Sequence, residues 1–431
     1  MGIYFGTDGL RGIFGEVISS EIACKVGNSL ARRCEIHKKV VIGRDTRTSG
    51  SLLASAFACG LCGGGVDVVD IGIVPTPVVA YIAQRMNFDY GVVISASHND
   101  ANFNGIKIFN SKGFKISESE ENEIEKKMLY PFHVGYERLG KITKRPALVG
   151  KYKKHILQTF EKMNLKIVLD CACGASYRIA KFLFENLGCK VIALNCQNDG
   201  MKINERCGAL HPDVVASAVN EHGADMGFAF DGDADRIIAC DENGRILDGD
   251  DILFLLAKGD KNQKTIVGTS MTNSGLEFSL KSMGKTLLRA DVGDKYVAEM
   301  MKVKGATLGG EPSGHIINFD FSTTGDGVLT ALTIASIVQK EGKGLSKLCN
   351  LKHLPQVLIN VKVHDKYRTM NSEILMAEIL KVQKEIEGDG RLNVRASGTE
   401  NKIRVMCEHK SEKVATNLAK NVEKLILSIE R

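Results

Sequence analysis

Residues 39–57 read KVVIGRDTRTSGSLLASAF: a lysine, an apolar β-branched run, a loop of Gly, Ser, Thr and charged residues, then a small-residue stretch with helical spacing. The same design recurs at 166–188 (KIVLDCACGASYRIAKFLFENLG) and at 264–284 (KTIVGTSMTNSGLEFSLKSMG). Each copy leads into a second apolar run: VDVVDIG at 66–72, CKVIALN at 189–195 and KTLLRAD at 285–291. Strand, loop, helix and return strand make a crossover unit, which predicts a mixed or parallel sheet with a helix packed across it. The copies lie roughly a hundred residues apart, too far for a solenoid, so three similar α/β domains are expected.

The C-terminal part differs. RLNVRASGTENKIRVMCEH (391–409) reads strand, loop, strand, and SEKVATNLAKNVEKLILSI (411–429) reads as an amphipathic helix with Ser411 at its N-cap. A smaller α+β domain is expected there. Boundaries fall in the basic, Gly- and Pro-interrupted stretch 140–154, after the hairpin pattern RIIACDENGRIL (236–247), and near KHLPQVLINV (352–361). The expected partition is therefore 1–149, 150–248, 249–354 and 355–431.

At 431 residues the chain has room for three or four domains, and its apolar and charged fractions are those of a globular protein. A formal charge of +6 is mild for this length, and no arginine-rich or basic–aromatic run suggests nucleic acid. The N-terminal MGIYFGTDGLRG has no apolar signal-like region, residue 6 is Gly where a myristoylation pattern needs Ser or Thr, and no membrane-length apolar run follows. Twelve scattered cysteines fit a reduced, cytoplasmic setting. Cys59 and Cys62 form a C-x-x-C, but within a small-residue helical pattern and without a second ligand pair, which favours packing over metal or redox chemistry.

Asp231, Asp233 and Asp235 alternate in GFAFDGDADRII (227–238). Three carboxylates so close repel one another, and a divalent cation is the natural neutraliser; an all-oxygen set selects Mg²⁺, Ca²⁺ or Mn²⁺ over zinc. An EF-hand also begins D-x-D-x-D and would find Glu242 at its twelfth position. Its sixth position must be Gly, however, and here it is Arg236; the flanks also alternate like strands where an EF-hand needs helices. A solvated acidic turn is the bland alternative. Three carboxylates leave Mg²⁺ short of six ligands, which invites a phosphoryl oxygen.

In YGVVISASHNDANFNGIKIF (90–109) an apolar strand ends at Ser95, Ala96, Ser97, His98 and Asn99, the kind of strand end where α/β sheets hold ligands. Neighbouring side chains on an extended segment point apart, so His98 is not automatically a base for Ser97, and no G-x-S-x-G elbow is present. A serine displayed beside a metal is a candidate phosphoryl carrier, although Ser-rich strand ends are ordinary. Lys107 is a candidate proton shuttle if burial or a cation lowers its pKa. GTDGLRG (6–12) sets Arg11 between glycines, and VRASGTENKIR (394–404) gathers Arg395, Ser397, Gly398, Thr399 and Arg404; both are candidate anion holders or plain turns. GGEPSGHI (309–316) offers Glu311, Ser313 and His315 for sugar hydroxyls or an amine. SLKSMGKT (279–286) lacks the leading Gly of a P-loop and follows a helix.

Taken in order, TDGLRG, SASHN with NGIK, FDGDADR, GEPSGH and RASGTENKIRVM resemble the motifs of the α-D-phosphohexomutases along the whole chain. INERCGALHPD (203–213) and the pairing of GEPSGH with VGDKYV (292–297) are most similar to the bacterial phosphoglucosamine mutase branch. The resemblance implies four domains around one cleft: the first carrying the phosphoserine loop, the second the metal loop, the third sugar recognition, the last a phosphate-binding loop. It implies that Ser97 carries a phosphoryl group, primed by a hexose bisphosphate or a kinase. Asp231, Asp233 and Asp235 with Ser97 would hold one Mg²⁺ per subunit. Glu311 and Ser313 would read ring hydroxyls, while Arg395, Ser397, Gly398, Thr399 and Arg404 grip the phosphate that is not reacting. Lys107 would be general acid/base with His315 second, and Arg11 and Arg236 would stabilise the phosphoryl group in flight. The implied substrate is a hexosamine phosphate, interconverted between its 6- and 1-phosphates through a bisphosphate. A glucose or mannose phosphate with the same chemistry, or a non-catalytic sugar-phosphate-binding protein, are the alternatives. A monomer or homodimer without nucleic-acid or membrane partners is expected. Departures concern loop shape: Asp100 and Phe103 replace a customary Pro and Asp, Asn401 a customary Pro, Lys295 an Arg, and Asp291 a basic or small residue.

Overall fold

The computed structural model describes residues 4–6, 8–34, 38–260, 262–397 and 401–430. Each repeated stretch forms the expected order of strand, helix and strand. Strand Lys39–Arg44, helix Gly50–Gly63 and strand Asp67–Ile73 make the first, with the two strands parallel neighbours. Strand Lys166–Asp170, helix Ile179–Asn186 and parallel strand Lys190–Leu194 make the second. Strand Thr265–Thr269, helix Ser274–Ser282 and strand Thr286–Ala290 make the third.

The first sheet has seven strands, ordered Phe5–Gly6, Gly9–Ile13, Phe103–Asn110, Tyr90–Ile94, Lys39–Arg44, Asp67–Ile73, Ile142–Lys144. Strand Tyr90–Ile94 is buried at all five positions, as its unbroken apolar run requires when both sheet faces are covered. The small residues of helix Gly50–Gly63 serve close packing on helix Ser20–Ala31. A Cβ on Gly60 would lie 2.1 Å from the Cys24 carbonyl oxygen, and one on Gly27 would lie 2.2 Å from that of Phe57. Cys62 packs against this core, Cys59 is exposed, and no group of close metal-ligating side chains among the described residues includes either.

The second sheet has five strands, with Met226–Phe230 central, parallel to Lys166–Asp170 and antiparallel to Ile237–Asp241. The aspartate loop therefore joins two fully buried antiparallel strands rather than two helices. The third sheet has four strands and the C-terminal sheet three, all antiparallel, in the order Gln356–Lys362, Lys402–His409, Gly390–Ala396. Helix Glu412–Ile429 buries Ala415, Ala419, Val422 and Ile426 along one stripe. Ser411 occupies its N-cap position, but its hydroxyl makes no capping bond; its N–H instead donates to His409 Nδ1 at 2.9 Å.

Two compact units result: 1–269 with 288–350, and 270–287 with 351–431. Helix Ser274–Ser282 thus goes with the C-terminal residues, because Glu408 accepts from both the N–H and the hydroxyl of Ser274 (3.0 and 2.6 Å), and Arg391 donates to the carbonyls of Ser270 and Thr272. Among the described residues no helix is long and apolar enough to cross a membrane.

Candidate active site

Ser97 lies just beyond strand Tyr90–Ile94, with φ of 52° in the left-handed region that a non-glycine residue seldom adopts. Neighbouring groups fix this turn. Ser97 N–H donates to Ser95 Oγ at 2.9 Å, and Ser95 Oγ donates to Asp45 at 2.6 Å. Asp45 also holds the Nε of buried Arg47 at 2.9 Å, and the same guanidinium donates to the carbonyls of Ser97 and Asn99 at 3.0 and 2.7 Å. The Asn204 amide reaches the same two carbonyls, at 2.9 Å each. A strained loop persists only where its surroundings over-determine it, and such loops gather at functional sites.

The Ser97 hydroxyl donates to Asp231 at 2.5 Å, whereas His98 Nδ1 stands 3.5 Å away. Burial, with Arg236 and Arg11 nearby, lowers His98 to about 4, so its ring is neutral at physiological pH and no serine–histidine couple is set up. Asp231, Asp233 and Asp235 are all buried, and their ligand oxygens lie within 4.8 Å of one another. Burial together with the charges of Asp235 and Asp233 raises Asp231 to about 8. Lys107 Nζ reaches Asp233 at 2.8 Å and Asp235 at 2.7 Å, and Thr76 Oγ1 donates to Asp233 at 2.5 Å.

A proton shuttle at Lys107 asks for a lowered pKa. Burial does act in that direction, but Asp233, Asp235 and Asp8 outweigh it and hold the ammonium well above its usual range. Asp233 Oδ1 and Asp235 Oδ1 remain buried without a hydrogen-bond partner. Buried carboxylate oxygens without a hydrogen-bond partner, within a cluster of three carboxylates, are the donor set a hard divalent cation takes, so these residues fit such an ion.

Around this centre the remaining candidates of the first unit gather. Arg11 pairs with Asp8 and donates to Asn99 Oδ1 at 2.9 Å. Arg236 follows the three aspartates; its N–H donates to Asp231 at 3.1 Å, while its Nε is buried without a partner. His315 lies between two carboxylates, with Nδ1 3.6 Å from Asp235 and Nε2 3.3 Å from Asp294. Burial opposes protonation, but Asp294 and Asp235 prevail and raise its pKa. Glu311 accepts from Gly293 N–H at 3.0 Å, and Ser313 is exposed at the tip of the same turn. Lys115 is half-buried and bridges Asp8 to Asp294, the latter at 2.7 Å.

In the C-terminal unit, Arg395 and Arg404 stand directly opposite one another in the antiparallel pair. Like charges so placed destabilise a sheet unless an anion answers them. Burial and Arg404 lower the pKa of Arg395; Arg404 Nε and Ser397 Oγ are buried without partners. An anion is the ligand this arrangement suits. Gly398 and Thr399 lie outside the described residues.

Asp45, Arg47, Thr76, Asn204, Lys115 and Asp294 were not singled out from the sequence. Asp45 and Arg47 belong to the polar DTR that directly follows a buried strand, and Asn204 to the INERCG stretch; those were the only signals available.

Comparison with known proteins places this geometry in a family. Four family profiles match: "Phosphoglucomutase/phosphomannomutase, alpha/beta/alpha domain I" at residues 2–130, domain II at 150–244, domain III at 248–354, and the C-terminal domain at 358–425. The phosphoglucosamine mutase of Clostridium kluyveri is 42% identical over 98% of each chain, and that of Geobacillus thermodenitrificans 42% identical over 99% of this chain and 98% of its own. Among solved structures, a phosphoglucomutase/phosphomannomutase family protein of Burkholderia thailandensis superposes with a TM-score of 0.85 at 24% identity, covering 98% of this chain and 97% of that one. The Aspergillus fumigatus N-acetylphosphoglucosamine mutase, solved with GlcNAc-6P and magnesium, gives 0.67 at 17% identity over 100% and 96%. The two structures share the fold, and the sequence relatives carry the kinship: the chain belongs to the phosphoglucomutase/phosphomannomutase family, the α-D-phosphohexomutases.

Proposed function

We propose that the protein interconverts glucosamine 6-phosphate and glucosamine 1-phosphate through a phosphorylated Ser97 and a bisphosphate intermediate. The observation that carries the chemistry is the Ser97 hydroxyl at 2.5 Å from Asp231, inside a buried cluster of three carboxylates. The choice of sugar rests on whole-length relatives that bear the phosphoglucosamine mutase name.

Asp231, Asp233 and Asp235, with the oxygen on Ser97, would hold Mg²⁺, which supplies positive charge against the phosphoryl group being transferred. Ser97 gives its phosphoryl to the free sugar hydroxyl. The bisphosphate turns over, and the other phosphate returns to the same oxygen. Arg11 and Arg236 would stabilise the equatorial oxygens of the transferring group as fixed cations. Lys107 would move the proton. Held as it is by Asp233 and Asp235, it carries a proton but releases it readily only once the charge on those carboxylates is answered otherwise. His315, between Asp235 and Asp294, is the second group able to hold a proton. Glu311 and Ser313 would bind ring hydroxyls, and Arg395, Ser397 and Arg404, with Gly398 and Thr399, the phosphate that is not reacting.

The deciding test follows turnover of glucosamine, glucose and mannose 6-phosphates by NMR, each with Mg²⁺ and a trace of hexose bisphosphate to prime Ser97. Preference for the amino sugar supports the assignment; preference for glucose or mannose keeps the mechanism and changes the substrate. Ser97→Ala should abolish turnover of all three, and full activity in that variant would sink the phosphoserine route.

A further inference from the structure

Two thiols meet at the end of the second sheet. Strands Lys166–Asp170 and Lys190–Leu194 are parallel, with Asp170 opposite Leu194, so Cys171 and Cys196 leave the sheet at the same end. Their sulfurs are 3.3 Å apart. Cys171 is buried; Cys196 is partly exposed, beside exposed Gln197 and Asn198, so one sulfur is reachable and the other waits behind it. Both are free thiols. A disulfide needs about 2.05 Å between sulfurs, a shift within the reach of side-chain rotation and a small backbone adjustment.

Cys171 also opens a turn with unusual responsibilities. Ala172 and Cys173 both have left-handed backbone, at φ of 53° and 50°. Ala175 N–H donates at 2.7 Å to the carbonyl of Gly232, which lies between metal-loop residues Asp231 and Asp233. Gly174 approaches the same carbonyl so closely that a Cβ would sit 2.4 Å from it. The Ala172 carbonyl accepts from Asn204 N–H at 3.0 Å, and the Asn204 side chain holds the Ser97 loop. Whatever moves Cys171 is felt at both loops.

We propose that Cys171 and Cys196 form a reversible disulfide site, oxidised by low-molecular-weight disulfides, and that closing it loosens the hold of the 171–175 turn on the metal loop. The Cys196 thiolate attacks one sulfur of the small disulfide and expels its partner as a thiolate, which takes up a proton. Cys171 then loses its proton and attacks Cys196 Sγ, expelling the second small thiol. Two electrons leave the protein and two thiols are released for each bond formed. The order follows from access and acidity. The hydrogen bond the two thiols share lowers the pKa of Cys196, and the same bond with burial pushes Cys171 up.

The test treats the reduced full-length protein with oxidised glutathione, alkylates what remains free, and maps peptides by mass spectrometry beside amide hydrogen exchange. The expected result is a 171–196 cross-link, lighter by two hydrogens and reversed by dithiothreitol, with exchange of the Ala175 amide, the donor to Gly232, faster by about tenfold, as expected for one lost hydrogen bond. Cys196→Ser should show neither change; Cys171→Ala blocks the link from the other side and guards against a folding defect in the first variant. Free alkylation of both thiols, or a glutathione adduct that stays on Cys196 without closing, overturns the site. A cross-link with unaltered exchange overturns its connection to the metal loop.

Discussion

The aspartate loop and the C-terminal arginine pair pose opposite problems of charge. At the loop, three buried carboxylates crowd one another, and the chain supplies part of the answer itself through Lys107. At the hairpin, Arg395 and Arg404 stand side by side, and their hydrogen-bonding capacity is left partly unused. The first site is tied together without a ligand yet keeps two orphaned oxygens; the second sets two cations opposite one another with no carboxylate between them in the strand pairing. Both arrangements cost stability, the usual trade at sites that must bind charge. The difference is that the first asks for a cation and the second for an anion, and each request can be made separately.

Asp231→Asn should give the largest effect and tests the first half of that contrast. Turnover should fall by roughly a thousandfold or more, the scale of losing a main electrostatic group at a reacting centre. The metal-free variant should melt close to the parent at neutral pH, where Asp231, raised to about 8, is mostly protonated, and above the parent at higher pH, where all three carboxylates are charged. Mg²⁺ should raise the melting temperature of the parent and leave the variant almost unmoved. A variant that loses stability along with activity would mean that the aspartates are structural first.

Arg404→Met tests the second half. Removing one member of a two-arginine phosphate seat should raise KM by about a hundredfold and lower kcat much less, since the interaction is with a phosphate that does not react. Inorganic phosphate should protect the parent against heat and fail to protect Arg404→Met, while Mg²⁺ protects both. If phosphate still stabilises the variant fully, the hairpin is not the anion seat.

Much of this was legible because it is local. The three strand, helix and strand orders follow from periods and turn residues, and the alternate aspartates between alternating strands signal a carboxylate cluster within twelve residues. What could not be read is what depends on partners distant in sequence. Asp45 and Arg47 look like an ordinary charged loop, yet they clamp the Ser97 turn some fifty positions away. Asn204 reaches across a hundred residues to the same carbonyls. For Lys107 even the sign was open, because burial alone lowers an ammonium pKa and only the observed carboxylates reverse it. Ser411 teaches the same on a small scale: its type and position fit a cap, but its hydroxyl is not used as one.

Asp326 provides the control that separates crowding from burial. It is buried, caps helix Gly327–Glu341 by accepting from Leu329 N–H at 3.0 Å, and receives the Tyr152 hydroxyl at 2.6 Å. Burial raises it to about 6, against about 8 for Asp231, which has carboxylate neighbours as well. The folded protein therefore holds the Asp326 proton more tightly than the unfolded chain, whose value lies near 3.8. Its contribution is fully present below that value and is lost as pH rises to about 6; above that it no longer changes. The loss amounts to about 3 kcal/mol, with each pKa unit worth about 1.4 kcal/mol. Measured as the difference between parent and Asp326→Asn in denaturant unfolding, the parent should lose about that much relative to the variant between roughly pH 4 and 6.5. Activity should hardly change. Tyr152→Phe, which removes a bond that favours the carboxylate, should move the midpoint of that loss to higher pH. A difference that stays flat with pH would show that burial alone does not perturb a carboxylate in this fold, and would assign the whole elevation of Asp231 to its neighbours.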